Sequence, residues 1–345
     1  MTAQSRLPGI PLMRLLAICF FLTTTALAAR DPEGLRLRAS IFGGGYTPDL
    51  QEKYANDRLY GSFVAGGIGA NAPWNNKNAS GLPLEAEYST HPFHFELEIA
   101  SIHSRPDYAG VSAVSLTSST IRYDVQQYDT TNVELSRFTP VLLARYDLTS
   151  QDSAHEISIL GGIRRVDTRA TYDYKYAQRF TISQSGLSVS GSVYGQSFDF
   201  RSRGVGTGLI FGGDYRYHLE NGSNFKLRLA LFSADGSWFQ NRETADVNTG
   251  GSGSGLIRRE DGGYHVNGVE FIAGYFHSVS ENIRIFAQLR TETSAIRDNK
   301  VRLTRISQPT ATEFQNLLID SALTYPGSHA KDTMGGLQAG VEVIL

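Results

Sequence analysis

The sequence predicts an all-β chain folded as an antiparallel, up-and-down transmembrane β-barrel of about ten strands. Three observations lead to this fold class. Apolar and polar residues alternate along successive segments, the connections between segments are short and long in turn, and tyrosines recur at one height. After residue 29 there is no run of about 18 apolar residues, so the sequence excludes a helical membrane protein.

The N-terminus has the pattern of a secretory signal peptide. Arg6 and Arg14 precede an apolar run over residues 15–27, and "ALAA" follows at 26–29. This order predicts cleavage after Ala28 or Ala29, which leaves residues 30–345 as a single barrel domain. A retained anchor is the alternative, although about 13 apolar residues fall short of the roughly 20 that a spanning helix needs. Cys19 lies within this run, so the mature chain would hold no disulfide or thiolate metal site.

Composition narrows the function classes. The formal net charge of −2 over 345 residues gives no basic footprint for a nucleic-acid partner. The 17 Tyr, 18 Phe and 35 Gly are typical of strands joined by turns. The sequence shows no phosphate loop, metal-ligand spacing or nucleophile elbow, so we expect no cofactor and no metal.

The strands are predicted from a period of two in hydrophobicity. In "IRIFAQLRTET" (283–293), Ile283, Ile285 and Leu289 share one face, whereas Arg284 and Arg290 lie on the other. Such alternation marks a strand with two unlike faces. It recurs in ten segments: 35–43, 82–88, 93–101, 138–148, 157–164, 205–218, 225–232, 269–276, 283–293 and 335–345.

The connections alternate in length. Residues 89–92, 149–155, 219–224 and 279–282 are short and polar, whereas 47–81, 105–136, 173–203, 240–263 and 298–332 are long. Residues 188–197 alternate and could extend the barrel above the membrane, and 121–129 could form a hairpin arm. If both 59–70 and 121–129 entered the barrel, the count would become twelve, which is the alternative to ten.

A soluble β-sandwich would hydrate the charged faces and bury the apolar ones, whereas a membrane barrel does the reverse. Strictly alternating loop lengths favour the barrel. So do Tyr88, Tyr146, Tyr217 and Tyr275, which precede short turns on the apolar face, as in an aromatic girdle at a membrane interface.

With these features the chain resembles bacterial outer-membrane β-barrel proteins as a general class. Its last strand, residues 337–345, is similar to the signal that such proteins present to the outer-membrane assembly machinery, but it ends on Leu345 where that class commonly has Phe or Trp. The resemblance implies residence in the bacterial outer membrane and contact with its lipid and lipopolysaccharide. It implies no particular oligomeric state.

The polar faces would then line the lumen with charges of balanced sign. A barrel of about ten strands is narrow, so these charges must pair. We expect a salt-bridged interior, with Arg36 and Arg38 as partners of the four glutamates on the next two strands; a charge-selective pore is the alternative. The predicted lumen ion-pair residues are Arg36, Arg38, Glu85, Glu87, Glu96, Glu98, Arg145, Asp147, Arg164, Asp214, Arg216, Lys226, Arg228, Glu270, Arg284, Arg290, Glu292 and Glu342.

Three functions fit this fold. The first is a non-enzymatic barrel with a structural or surface-interaction role, or slow passage of small solutes. The second is a porin-like or transport channel. The third is an outer-rim enzyme of protease or lipid-modifying type, for which His103 would be the candidate base near Ser101, Ser104 and Asp107. We expect the first, and therefore no catalytic residues.

Overall fold

The computed structural model describes residues 33–48, 77–118, 121–151, 153–184, 187–246, 257–306 and 329–345. The predicted signal peptide (1–29) and the strand-like segment 59–70 lie outside these ranges. Every regular element in the described ranges is a strand. The same ranges contain no helix of the length and hydropathy needed to span a membrane.

The strands, in chain order, are β1 (Gly34–Thr47), β2 (Asn78–Gly81), β3 (Leu84–Thr90), β4 (Phe93–Ser104), β5 (Asp107–Ser118), β6 (Ile121–Asp147), β7 (His155–Gln184), β8 (Leu187–His218), β9 (Asn224–Asp246), β10 (Ile257–Ser278), β11 (Ile283–Ile306) and β12 (His329–Ile344). They form one antiparallel sheet. Each of the ten predicted segments overlaps a strand of this sheet, so the all-β prediction is confirmed.

The sheet closes on itself because β1 pairs with β12. Around the ring the order is β1, β3, β4, β6, β7, β8, β9, β10, β11, β12, which makes a barrel of ten strands. β2 occupies the same ring position as β3, since both lie between β1 and β4. β5 pairs only with β6 and stands outside the ring as the outer strand of a hairpin arm. The prediction of ten strands is confirmed, and the twelve-stranded alternative is wrong.

The break between β2 and β3 falls at Leu82 and Pro83. Proline has no N–H to donate, so the ladder loses a hydrogen bond at Pro83. The Pro83 carbonyl is nevertheless satisfied, because it accepts from Ser40 N at 3.1 Å and from Ser40 Oγ at 3.0 Å. The predicted segment 82–88 is therefore observed as β3, which begins at Leu84; β2 precedes the break, and both strands pair with β1.

The two faces of the barrel differ as predicted. Large apolar side chains point outward and are exposed, among them Ile41 at 65%, Leu209 at 65% and Leu289 at 42%. Arg36, Arg228 and Glu96 point inward and are each 1% exposed. A soluble protein would place these two sets the other way round. This distribution is that of a membrane-spanning barrel, in which closure also pairs the edges of the strands that form the ring.

The strands on the long-loop side continue far beyond the predicted bounds. β6, β7 and β8 have 27, 30 and 32 residues, whereas a transmembrane strand needs about 9–11. Much of 105–136 and 173–203, predicted as loop, is therefore strand. Beyond the bilayer both faces meet water, so the two-residue alternation is lost although the backbone ladder continues.

At the opposite end the connections are tight. Between β8 and β9, Gly222 adopts φ 77° and donates its N–H to Leu219 O at 3.0 Å, while Asn221 Oδ1 accepts from Ser223 N at 3.0 Å. Only glycine takes this left-handed conformation without steric cost. Such turns hold neighbouring strands in the register that sends alternate side chains into the lumen.

Candidate functional site: the ion-paired lumen

Glu87 is the centre of the network at the short-turn end of the lumen. Its carboxylate accepts from Arg36 at 3.3 Å, from Arg38 at 2.6 Å, from Arg216 at 3.0 Å and, at closer range, from Arg145. These arginines come from three strands: two from β1, one from β6 and one from β8. All five side chains are at most 4% exposed. One buried anion therefore ties three walls of the barrel together.

Glu87 itself lies on β3, so the carboxylate and its four arginines come from four strands of the ring. We call these five residues the Glu87 cluster. A buried carboxylate repays its desolvation only when several donors surround it, and here four guanidinium groups do so.

Arg38 also fastens the seam where the barrel closes. It lies directly opposite Glu342 of β12 on one side and Glu85 of β3 on the other. Its Nε donates to Glu342 at 2.6 Å and its Nη1 donates to Glu85 at 2.9 Å. Arg284 reaches the second oxygen of Glu342 at 3.1 Å. The first and last strands are therefore joined by ion pairs as well as by backbone hydrogen bonds.

A second set of contacts crosses the lumen. Arg228 of β9 donates from Nη1 and Nη2 to the two oxygens of Glu96 on β4, both at 2.7 Å, and contacts Asp214 at 2.8 Å. Arg145 lies 3.5 Å from the same oxygen of Asp214, which connects this set to the Glu87 cluster. Lys226 is buried beside them and interacts electrostatically with Glu96 and Asp214.

A third set runs towards the long-loop end as an alternating chain of charges. Arg290 contacts Glu98 and, at 2.7 Å, Glu270. Glu270 accepts from Arg164 at 3.0 Å. Arg164 then contacts Glu292, which also accepts from Arg137. We call this series the Arg290 chain; its members lie on β4, β6, β7, β10 and β11.

The Arg290 chain joins opposite walls. Between β6, which carries Arg137, and β11, which carries Glu292, four strands intervene on either side of the ring: β7 to β10 one way, and β4, β3, β1 and β12 the other. Two side chains that meet across this distance occupy the middle of the lumen. Both are 2% exposed.

Apolar and aromatic side chains fill the space between the ion pairs. The Arg164 guanidinium lies 4.1 Å from the centre of the Phe232 ring, and Arg38 lies 5.4 Å from that of Phe276. Phe276 stacks on Phe286 with centroids 4.9 Å apart. Trp238, 1% exposed, belongs to a buried cluster with Phe232. The described lumen is thus packed, as in other narrow barrels.

The short-turn end contains a serine, a histidine and an aspartate in a row. Ser89 Oγ lies 2.9 Å from His94 Nδ1, and His94 Nε2 lies 2.7 Å from Asp147 Oδ2. Ser89 Oγ also donates to Glu87 at 3.3 Å, and Ser158 Oγ donates to Asp147 at 2.6 Å. Ser89 is 3% exposed. A serine that donates to a carboxylate within a packed interior fits a structural hydrogen-bond network better than a nucleophile.

The same end holds the only grouping of metal-ligand side chains found among the described residues. Ligand atoms of His94, Asp147 and Glu156 lie within 4.8 Å of one another. Arg145, however, lies 3.6 Å from Glu156, and His218 lies 3.0 Å from it. Positive charge is already supplied to this carboxylate by the protein, so the donor set does not favour a divalent cation.

The predicted lumen residues all point inward and are buried. The expected pairing differs at two positions: Arg36 and Arg38 contact Glu85 and Glu87, whereas Glu96 and Glu98 are reached from across the lumen by Arg228 and Arg290. Neighbouring strands can be read from a sequence, but contacts across a closed ring depend on its curvature. The prediction that Arg36 and Arg38 also pair with Glu96 and Glu98 is therefore wrong.

Among the buried polar residues that the predicted set lacks are Arg137, Glu156, Asp332 and His94. The first three lie one or more positions outside the alternating segments at 138–148, 157–164 and 335–345. If the alternation of inward and outward positions is continued beyond the start of each segment, all three residues fall on the inward face. His94 lies within a predicted segment on the inward face, but the predicted set contained only Arg, Lys, Asp and Glu.

The four predicted girdle tyrosines lie on the outer surface near the short turns. Tyr88 and Tyr146 are 52% and 42% exposed. Phenylalanines fill the positions between them: Phe93 packs edge-on against Tyr146 with centroids 5.3 Å apart, and Phe225 lies 4.8 Å from Tyr275. Tyr217 pairs in register with Phe225 and packs 5.0 Å from His155. Aromatic rings at this height are typical of a membrane interface.

His103, the candidate base of the enzyme alternative, is exposed on the outer wall of β4. Its Nε2 lies 3.2 Å from Ser101 Oγ. A second exterior group lies on β9 and β10, where His265 contacts Asp235 and lies 2.8 Å from Asn267 Nδ2. Both groups lie on the outer wall of the barrel and face away from the packed lumen.

No protein-family model matches the chain, and no curated protein matches it. Among solved structures, the chain is similar to the outer membrane protease OmpT from Escherichia coli, with 13% identity, a TM-score of 0.44 and coverage of 94% of this chain and 99% of that one. It is also similar to the P. putida toluene transporter TodX, with 8% identity, a TM-score of 0.27 and 91% of each chain covered. For Acinetobacter baumannii CarO2 the identity is 9%, the TM-score 0.16 and the coverage 89% and 99%. At these values the likenesses transfer no activity, and the chain's own inverted faces and closed ring are what make it a β-barrel of the outer-membrane type.

Proposed function

We propose that this protein is a non-enzymatic barrel of the bacterial outer membrane whose lumen is held shut by ion pairs and whose extended strands serve surface interactions. Residence in the outer membrane is supported by the apolar exterior, the aromatic girdle and the signal-peptide pattern at residues 1–29. A channel would need a continuous open path, and the packed ion pairs oppose one.

The contact between Arg137 and Glu292 carries the proposal. It joins opposite walls near the long-loop side of the membrane span, and Arg164 binds the same carboxylate. The Glu87 cluster makes an equivalent crossing near the other end. A hydrated solute would have to break at least one of these buried crossings, and separating a buried ion pair is costly.

The surface role rests on the strand extensions. β6, β7 and β8 are about three times as long as a bilayer requires, and β5 adds a further strand to their edge. Together with β9 they make a tall wall on one side of the barrel. An ordered sheet outside the membrane gives a preformed recognition surface at little entropic cost.

Solute efflux from proteoliposomes tests the closed lumen. Vesicles carrying the folded barrel should release small sugars no faster than empty vesicles. Arg137→Ala combined with Glu292→Ala removes the ion pair that crosses the lumen near the long-loop side. Efflux should increase, since the charges that bridge the walls are gone. Rapid efflux through the unaltered barrel would refute the proposal in favour of the channel.

A screen against peptides and glycerophospholipids tests the non-enzymatic part. Ser89→Ala and His103→Ala serve as matched variants, because they remove the buried and the exterior serine–histidine contacts respectively. We expect no turnover above background by any of the three proteins. Turnover that one variant abolishes would assign an enzyme and identify its site.

A further inference from the structure

Four arginines cluster on the outer wall immediately above the apolar band. Arg165 and Arg169 lie on β7, and Arg201 and Arg203 lie on β8. Their parity places them on the same outward face as Ile163 and Leu209, which are 53% and 65% exposed. We call the four arginines, together with Asp167 between them, the arginine patch.

The arrangement is unfavourable without an anion. Arg169 and Arg203 are direct cross-strand partners, and like charges in that position repel each other. Asp167 relieves part of this repulsion. Its carboxylate accepts from Arg203 Nε at 2.9 Å and from Arg169 Nε at 3.3 Å, and it is buried beneath them although its parity is outward.

One carboxylate does not balance the patch. Four arginines and one aspartate leave three positive charges by subtraction. Arg165 and Arg201 are both exposed, and the Arg169 side chain is 58% exposed even though it contacts Asp167. Thr207, the exposed cross-strand partner of Arg165, adds a hydroxyl to the same face. Guanidinium groups and a hydroxyl can together bind several phosphate oxygens.

The height of the patch identifies its surroundings. Ile163 pairs with Leu209 at the top of the apolar band, and the next outward pair along the strands is Arg165 with Thr207. Arginine is strongly disfavoured against hydrocarbon but tolerated at the interface. The patch therefore begins where acyl chains end and headgroups start, on the leaflet that faces the long strand extensions.

We propose that the arginine patch binds the phosphate groups of a phosphorylated glycolipid headgroup in that leaflet, as lipopolysaccharide would supply. The proposal rests on the outer-membrane placement argued above. Asp167 orients Arg203 and Arg169 by its hydrogen bonds, while Arg165 and Arg201 provide uncommitted guanidinium faces on either side. Lipid bound there would pack its acyl chains along Ile163 and Leu209.

Binding of purified lipopolysaccharide to the full-length mature barrel in detergent micelles tests this site. The double variant Arg165→Gln/Arg201→Gln removes two positive charges without touching the contacts of Asp167. Arg297→Gln is the matched control, since Arg297 is an exposed outward arginine on β11. We expect about tenfold or greater weakening in the double variant and no change in the control. Enzymatically dephosphorylated lipopolysaccharide should bind the unaltered barrel with a similar loss.

Each other outcome overturns the assignment. Equal affinity of the unaltered barrel and the double variant would mean that the patch is only a solvated face. Inorganic phosphate that binds the patch as tightly as the lipid would make it a free-anion site. Gel mobility with and without heating reports folding of every variant, and vesicle insertion is scored separately. A barrel that fails to insert would refute the proposed function, whereas one that inserts but does not discriminate phosphate would refute the patch alone.

Discussion

Arg228 on β9 and Glu96 on β4 form a two-pronged ion pair across the lumen, with both nitrogen–oxygen distances at 2.7 Å. Their strands are separated by β6, β7 and β8 along the shorter arc of the ring. The parallel geometry of the two hydrogen bonds fixes both side chains, which favours a single arrangement of the interior.

This pair should be strongly coupled. Arg228→Met or Glu96→Leu alone leaves a buried charge without its main partner and should destabilise the barrel by about 3–5 kcal/mol. The double variant removes both charges and should cost much less. Urea unfolding in lipid vesicles measures the free energies, and additive effects of the two changes would contradict a direct pairing.

Glu87 should matter more than its neighbour Glu85. Glu87→Gln leaves Arg36, Arg38, Arg145 and Arg216 facing one another and should lower the free energy of unfolding by about 3–5 kcal/mol. Glu85→Gln is the control, because among the described residues Glu85 forms its ion pair with Arg38, and Arg38 keeps Glu87 and Glu342 as partners. The same unfolding assay compares them, and similar losses would argue against Glu87 as the centre of the cluster.

The lipid-facing assignment predicts a dependence on depth along β11. Leu289→Arg places a charge against acyl chains and should cost about 2–4 kcal/mol, whereas Thr293→Arg, on the same face near the interface, should cost about 0–1 kcal/mol. Both are outward positions, so packing of the lumen is unaffected. Unfolding in vesicles again provides the measurement. Equal losses of unfolding free energy in the two variants would contradict the assignment of Leu289 to the acyl-chain region and Thr293 to the interface.

The hydrogen bonds of Asp167 should make the local stability of the β7–β8 arm sensitive to acid. Burial alone would raise the pKa of Asp167, but the hydrogen bonds from Arg203 and Arg169 outweigh it and hold the pKa below its ordinary value. Its contribution to stability is therefore complete above the ordinary value of about 3.9 and is lost as the pH falls through the lowered pKa. The hydrogen-exchange protection factors of the β7–β8 arm, which correct for the intrinsic pH dependence of exchange, should fall below about pH 4.

Asp167→Asn provides the control for this pH effect. The amide keeps the shape of the side chain but does not titrate. The protection factors of the arm should therefore already be lower at neutral pH and should change little further on acidification. If the unaltered protein and Asp167→Asn had the same pH profile, the acid-sensitive group would have to be another one.

Parity of hydrophobicity was sufficient to predict the barrel, its strand number and the inward face, because the bilayer imposes a sharp difference between the two sides of each strand. Leu289 and Arg290 illustrate this: adjacent residues lie in lipid and in the lumen, respectively. The signal weakens above the membrane, which explains why most of residues 173–203 are predicted as loop although 173–184 and 187–203 are strand.

Contacts between strands on opposite sides of the ring could not be predicted from the sequence. Glu98 and Arg290 are 192 positions apart, and nothing local links them. Their meeting depends on strand tilt and stagger, which are properties of the closed sheet. The arginine patch is similar, since Arg169 and Arg203 face each other only because the β7–β8 register aligns them.

Single-channel recording in planar bilayers tests the closed lumen most directly. We expect no steady nanosiemens-scale conductance from the folded barrel at low voltage. Arg137→Ala combined with Glu292→Ala should introduce openings, because it removes the ion pair that crosses the lumen near the long-loop side. Steady openings of that scale by the unaltered barrel would contradict an ion-paired plug.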